Sequence, residues 1–276
     1  SLSKGPAQHL DGLRQAQSER IAAMLTFTEA QLLGWVTPIL WAFLRVLALL
    51  GTLPVFAQRS VPMRLRVALA FLVALCAQAS VPAVAPIPLD SAVTLLVVLQ
   101  QIVIGASLGF AVRIVFAAVE FAGELVGLQM GLNFAGFFDP VTAGTSTTTS
   151  RFFGTTIAWL FIVVDGHLLV VAALVHSFAA FPASPEPFAF LAATAPHRWG
   201  AEIFATGLWI ALPLVTMLLF VNLVLGAISR VAPQLSIFAI GFPVTLGVGL
   251  LGMLLTLPAL QTPFTLTLER MLENFR

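Results

Sequence analysis

Charge is what this chain lacks most. Only 9% of its 276 residues are charged, against about a quarter in ordinary soluble domains, while 59% are hydrophobic and the mean hydropathy is +1.01. That balance excludes a soluble globular domain and describes an integral membrane protein. A net charge of +1 provides no concentrated basic surface, which argues against nucleic acid as a partner. Cysteine is nearly missing too. The one thiol, Cys76, lies in the apolar run RVALAFLVALCAQ; it has no internal disulfide partner and reads as a small packed hydrophobe. The His-Glu-x-x-His, Gly-x-Ser-x-Gly, Walker and dinucleotide fingerprints do not occur, so no catalytic residue, metal ligand or cofactor site is expected. Period-two alternation of a membrane β-barrel is likewise not visible, which leaves an all-α fold.

Apolar stretches of bilayer length fall at about 30–57, 67–87, 92–113, 114–137, 152–181, 203–229 and 234–260. The breaks coincide with Arg59 to Arg66, with Pro82, Pro86 and Pro88, with Asp139-Pro140, with Pro182 to Pro196, and with Arg230 to Pro233. Proline suits such turns because it lacks a backbone donor and clashes with the preceding helical turn. Residues 1–23 are polar and lack both an initiator methionine and a secretory apolar core. They read as an appendage foreign to the fold, with an amphipathic helix as the alternative; Thr26 or Thr28 would cap the helix that follows.

Arginines favour the cytoplasmic side, so the loop with Arg59, Arg64 and Arg66 is the expected cytoplasmic loop. The turn at Arg230 then also becomes cytoplasmic only if residues 92–137 cross once. One continuous helix over 92–137 would run about 69 Å, far beyond the roughly 30 Å hydrocarbon core. Ordinary bilayer topology therefore fits this chain badly.

Residues 114–140, IVFAAVEFAGELVGLQMGLNFAGFFDP, carry two glutamates, Glu120 and Glu124, and glycines at Gly123, Gly127 and Gly131. Ionised groups at bilayer depth normally face a bundle interior or water, and small residues four apart let helix backbones approach closely. Arg113, Glu120 and Glu124 share one helical face, as an ion-pair network between helices or subunits, or alternatively as an ion relay. The stretch then breaks at Phe137-Phe138-Asp139-Pro140 into the hydroxyl-rich TAGTSTTTS. There Ser146 and Ser150 read as loop residues rather than nucleophiles. Asp165 and His167 flank Gly166 and suggest a turn or separate hydrogen bonds, with a metal or catalytic pair as the alternative. Asn222 and Gly226, one turn apart, suggest a close helix contact. The short turn Arg230-Val231-Ala232-Pro233-Gln234 forces an antiparallel hairpin, and Gly241-Phe242-Pro243 predicts a kink in its second helix.

Four segments together resemble the FliR family of flagellar type III export-gate proteins: LRVLALLGTLPVF (44–56), QQIVIGASLGF (100–110), AGELVGLQMGLNFAGFFDP (122–140) and NLVLGAISRVAPQLSIFAIGFPVTLGVGL (222–250). The resemblance covers about 24–276, and Gly241-Phe242-Pro243 places it nearer the flagellar branch than the injectisome branch. It implies a non-enzymatic subunit, built of long helical hairpins, of a helical hetero-oligomeric pore in the bacterial inner membrane at the flagellar basal body. FliP-like and FliQ-like subunits, an FlhB-like export protein and unfolded export substrates would be its partners. It also implies a FliP-like region over 24–190, a FliQ-like hairpin over 191–276, and a plug loop at 134–150 involving Phe134, Gly136, Phe137, Phe138, Asp139 and Pro140. In such gates much of the hydrophobic protein is lifted out of the bilayer plane. A secondary transporter using Arg113, Glu120 and Glu124 is the alternative from a different class.

Overall fold

A computed structural model describes residues 29–81, 91–132, 147–231 and 237–275. Among these the regular structure is entirely helical: α1 (Glu29–Thr52), α2 (Met63–Ala77), α3 (Ala92–Gln129), α4 (Thr148–Val163), α5 (Gly166–Ala180), α6 (Ala189–Thr194), α7 (Gly200–Val231), α8 (Ile237–Thr256) and α9 (Gln261–Glu273). Four helices are long and apolar enough to cross a membrane, and the bent pair α4 and α5 makes a fifth candidate. The chain is an all-α, multi-helix membrane protein.

The axis of the molecule is α3. The two apolar stretches at 92–113 and 114–137 prove to be one helix that stops at Gln129, about 57 Å long. Its glycines explain what packs where. Gly105 and Gly109 are 18 residues ahead of Gly123 and Gly127, which is about five whole turns, so all four lie on one face. Helix α1 takes the first pair: a Cβ at Gly105 would overlap the Arg45 carbonyl oxygen, and one at Gly109 would overlap the Thr52 hydroxyl. Helix α4 takes the second pair, with Phe153 and the Thr149 carbonyl each 2.9 Å from a Cβ at Gly123.

Partner numbers give the directions. Arg45 and Thr52 meet Gly105 and Gly109 in rising order, so α1 runs parallel to α3. Helix α4 runs antiparallel, because Phe153 meets Gly123 while Phe161 lies against Phe116, with ring centroids 5.6 Å apart. Travelling back along the glycine face, α4 therefore heads into the end of α1. At that level the chain breaks: Asp165 adopts φ 55, a left-handed conformation that Asp tolerates better than most residues, and α5 departs at 68°. Two helices cannot occupy one seam, and the bend is the steric consequence. The expected single stretch over 152–181 is thus two helices, with the turn at Val164-Asp165, while Gly166 and His167 open α5.

Helix α7 packs against α3 away from the glycine face. Trp199 stacks on Phe110 with ring centroids 6.4 Å apart, Phe204 meets Phe121 edge-on at 5.3 Å, and Gly207 sits against the Ala118 carbonyl. From Trp199 at Phe110 to Leu212 and Val215 beside Leu125 and Gln129 the two run in the same direction, so α7 and α3 are parallel. Past Leu218 the contact ends: residues 219–231 of α7 include none that is buried. Helix α8 returns antiparallel, Gly252 meeting Leu214 and Met217 and Gly249 meeting Met130. Helix α8 runs unbroken through Gly241-Phe242-Pro243, with Pro243 inside it, so these residues do not interrupt it as expected, and the Thr245 hydroxyl bonds back to the Gly241 carbonyl at 2.9 Å.

Helix α9 lies beyond the apolar runs, which stop near 260. Its buried residues Phe264, Thr267, Leu268, Met271 and Leu272 follow the three-and-four spacing of an amphipathic helix. Phe264 lies 6.1 Å from Phe116, and Phe275, just past the helix, lies 5.4 Å from Phe190. The opposite face is polar, and Arg270 reaches Glu202 at 3.7 Å.

Candidate functional site

The candidate site is built where α3 and α4 meet, at the base of the segment expected to plug a pore. The last turns of α3 offer Gly127, and the first turn of α4 offers Thr149, whose hydroxyl occupies the space a side chain at Gly127 would need. Thr147 caps α4, its hydroxyl accepting from the Ser150 amide at 3.2 Å, which satisfies one of the open amides of a helix start. Ser150 is buried in that first turn and has a structural part. Gly131, grouped by its spacing with the packing glycines, does something different: φ is 78, the left-handed geometry that terminates a helix after its last residue. The plug residues Phe134, Gly136, Phe137, Phe138, Asp139 and Pro140 lie outside the described residues. What the structure does provide is a closed base, Gly127 against Thr149.

The charged stripe lies beside this base. Arg113 and Glu120 are exposed and Glu124 is half-buried, so within the subunit they are not the buried group that bilayer energetics led us to expect. They face outward because α3 gives its glycine face to α1 and α4 and another to α7. The Glu120 carboxylate lies over Gly154 of α4, 2.9 Å from where a Cβ would be, and interacts electrostatically with Arg113 and Glu124. Among the described residues the one ion pair is Arg270–Glu202, so this stripe forms none.

On the hairpin, Asn222 and Arg230 are exposed and Gly226 has nothing within 4 Å of an added Cβ. The close contact expected at Asn222 is thus not made among the described residues. Pro233 and Gln234 lie outside the described residues. Neither Asp165 nor His167 is joined by enough His, Cys, Asp or Glu side chains to hold a metal among the described residues. Among the described residues the buried His167 Nδ1 has no hydrogen-bond partner.

The most elaborate polar arrangement escaped the reading of the sequence. Arg45 is fully buried, where an unpaired charge is costly, yet every nitrogen of its guanidinium is engaged. Nε donates to Gln101 Oε1 at 2.8 Å, Nη1 to the Ser177 carbonyl at 2.7 Å and hydroxyl at 3.0 Å, and Nη2 to the Phe181 carbonyl at 2.7 Å. The Phe178 ring lies 4.4 Å from the guanidinium carbon, a cation–π distance. Two of the acceptors are carbonyls at the C-terminal end of α5, where the helix dipole is negative. Gln101 passes the network to Gln100 at 2.9 Å, and Gln100 holds Ser184 through both amide atoms, at 2.8 and 2.9 Å. One arginine thereby ties α1, α3 and α5 together. The available signal was a lone arginine in an apolar helix, with two adjacent glutamines in another.

Comparison with known proteins places the chain in a family. A family model described as bacterial export proteins, family 1, matches residues 36–271, a span that includes the Arg45 network, the α3–α4 base and most of α9. The flagellar biosynthetic protein FliR of Escherichia coli (strain K12) is 44% identical over 244 residues, 87% of this chain and 92% of that protein. FliR of Pectobacterium carotovorum subsp. carotovorum is 43% identical over 241 residues with the same coverages, and FliR of Aquifex aeolicus (strain VF5) is 30% identical over 240 residues. With the match running the length of a charge-poor, all-helical membrane fold, the chain belongs to the FliR family of bacterial export proteins.

Proposed function

We propose that this chain is a core subunit of the flagellar type III export gate, residing at the inner membrane and joining FliP-like and FliQ-like subunits, with an FlhB-like protein nearby, around a pore for unfolded export substrates. The observation that carries the reading is the far part of the α7–α8 hairpin. Beyond Leu218, α7 continues for about 20 Å with no buried residue, exposing Leu219, Phe220, Leu223, Val224, Ile228 and Val231. Asn222 and Gly226 lie on the same stretch, and Gly247 of α8 has open space around it. Small and amide-bearing residues are how membrane helices grip one another, and among the described residues nothing fills the space beside Gly226 or Gly247. The division into FliP-like 24–190 and FliQ-like 191–276 belongs to the same proposal.

Within that assembly, residues 134–150 act as the plug. Support comes from its base: Gly127 and Thr149 hold the two ends of the segment together, while Phe137 and Phe138 have the bulk to dewet a narrow lumen. The outward stripe of Arg113, Glu120 and Glu124 fits an intersubunit contact better than a transporter's solute site, which would be enclosed. Co-expression with FliP and FliQ homologues followed by detergent extraction should recover one complex. Recovery of this chain alone, monodisperse and stable, contradicts the assembly. Deleting 137–146, which leaves the Thr147 cap and the Thr149 contact of α4 in place, should raise ion conductance of the reconstituted complex, and unchanged conductance removes the plug assignment.

A further inference from the structure

We propose that the corner between α1 and α2 is a docking site for the headgroup of an anionic phospholipid, with Arg59 and Arg64 as the phosphate-binding side chains and Arg66 as the brace that shapes the corner. The proposal depends on the membrane fold and not on the pore, so each can fail without the other.

The chemistry of the corner is one-sided. Between Glu29 and Asp90 the sequence contains no acidic residue at all, and three of its four cations, Arg59, Arg64 and Arg66, fall within this corner. Arg66 is turned inward. Its Nη2 donates to the Gln58 carbonyl at 2.8 Å and the Val61 carbonyl at 3.2 Å, and its buried Nε finds no acceptor among the described residues. Arg59 and Arg64 are exposed, and no carboxylate lies within ion-pair distance of either among the described residues. A uniformly cationic, uncompensated corner attracts anions.

Its position selects the kind of anion. Helix α2 begins at Met63 inside the corner, and with its continuation to Ser80 it is long and apolar enough to span a membrane, about 27 Å. It seats Ala70, Ala74 and Ala77 inward and leaves Leu65, Phe71, Leu72 and Leu75 exposed along its length. The guanidiniums therefore stand at the end of an acyl-facing helix, at headgroup depth. They share that level with Arg113, since α1 ends beside Gly109, and residues 92–112 of α3, just before Arg113, carry no charge. A charge-free length of about 31 Å matches the hydrocarbon core and ends at the plane of the arginines. A soluble phosphate would meet the same cations but would leave the apolar flank of Met63 and Leu65 uncovered, whereas a phospholipid covers both.

The test is native mass spectrometry of the full chain in detergent, titrated with dioleoylphosphatidylglycerol, with dioleoylphosphatidylcholine as the neutral lipid. R59Q/R64Q should weaken retention of phosphatidylglycerol about 25-fold, about fivefold per arginine removed from an anionic lipid surface, while phosphatidylcholine adducts stay as they are. R59K/R64K should retain most of the binding, and Arg59→Gln alone should show the fivefold step even if the double variant is poorly folded. Arg230→Gln, an exposed arginine elsewhere, should change nothing. Equal retention in parent and glutamine variants overturns the site. So does equal loss in Arg230→Gln, which would mean unspecific charge, or displacement by millimolar inorganic phosphate, which would mean a soluble-phosphate site.

Discussion

Gly127 and Gly226 stand in similar apolar sequence, each inside a long helix and each one turn after a residue suited to helix contact, yet their surroundings are opposite. At Gly127 the Thr149 hydroxyl fills the space of the absent side chain, while Gly226 faces nothing within 4 Å. The same contrast separates the α3 seam from the α7–α8 hairpin as a whole. Glycine costs a helix about 1 kcal/mol relative to alanine. In the seam that cost is offset by close packing inside the subunit; on the hairpin the described residues offer nothing in return, and in the proposed assembly the compensation would come from a neighbouring subunit.

The contrast is open to attack at several points. Gly127→Leu should abolish the folded subunit, because the new side chain collides with Thr149 and forces α4 off α3; recovery of a monodisperse product of parental stability in size-exclusion chromatography would sever the seam argument. Next in size is Arg45→Ala. It leaves the Gln101, Ser177 and Phe181 acceptors without their donor, and should destabilise the subunit by about 3 kcal/mol or more, read as a lowered thermal midpoint in detergent. Gly226→Ala sharpens the comparison most, since the two readouts should move in opposite directions. The isolated subunit should gain about 0.5–1 kcal/mol, while the yield of complex with FliP and FliQ homologues falls; a stabilised subunit with unchanged assembly would mean that nothing packs at Gly226. The smallest effect is expected for Thr147→Ala, which removes the α4 cap and should cost about 1 kcal/mol, with a matching shift in thermal midpoint.

Much of the fold was legible because helix periodicity and bilayer length leave strong marks. The glycine pair Gly123 and Gly127 announced a close helix approach, and the hairpin through Arg230 was forced by the shortness of its turn. Three features were not legible. The end of α3 at Gly131 looks, by spacing, like one more packing glycine, and only its backbone conformation separates the two roles. Helix α9 hides behind its polar face, although Phe264, Leu268 and Met271 recur at helical spacing. Arg45 looks like an isolated charge because, apart from Gln101, its acceptors are backbone carbonyls and a serine more than 130 positions away, and a main-chain acceptor leaves no trace in a sequence.

The order of residues by itself determined the solvent this protein requires, its helical class, the place of most turns and its kinship with export proteins, since each follows from local composition and spacing. Tertiary structure alone decided which glycines are filled and which stand open, where the span over 152–181 must bend, and how a buried cation is satisfied. Those outcomes depend on which surfaces compete for the same face of α3, and steric competition between segments distant in sequence exists only once they share space.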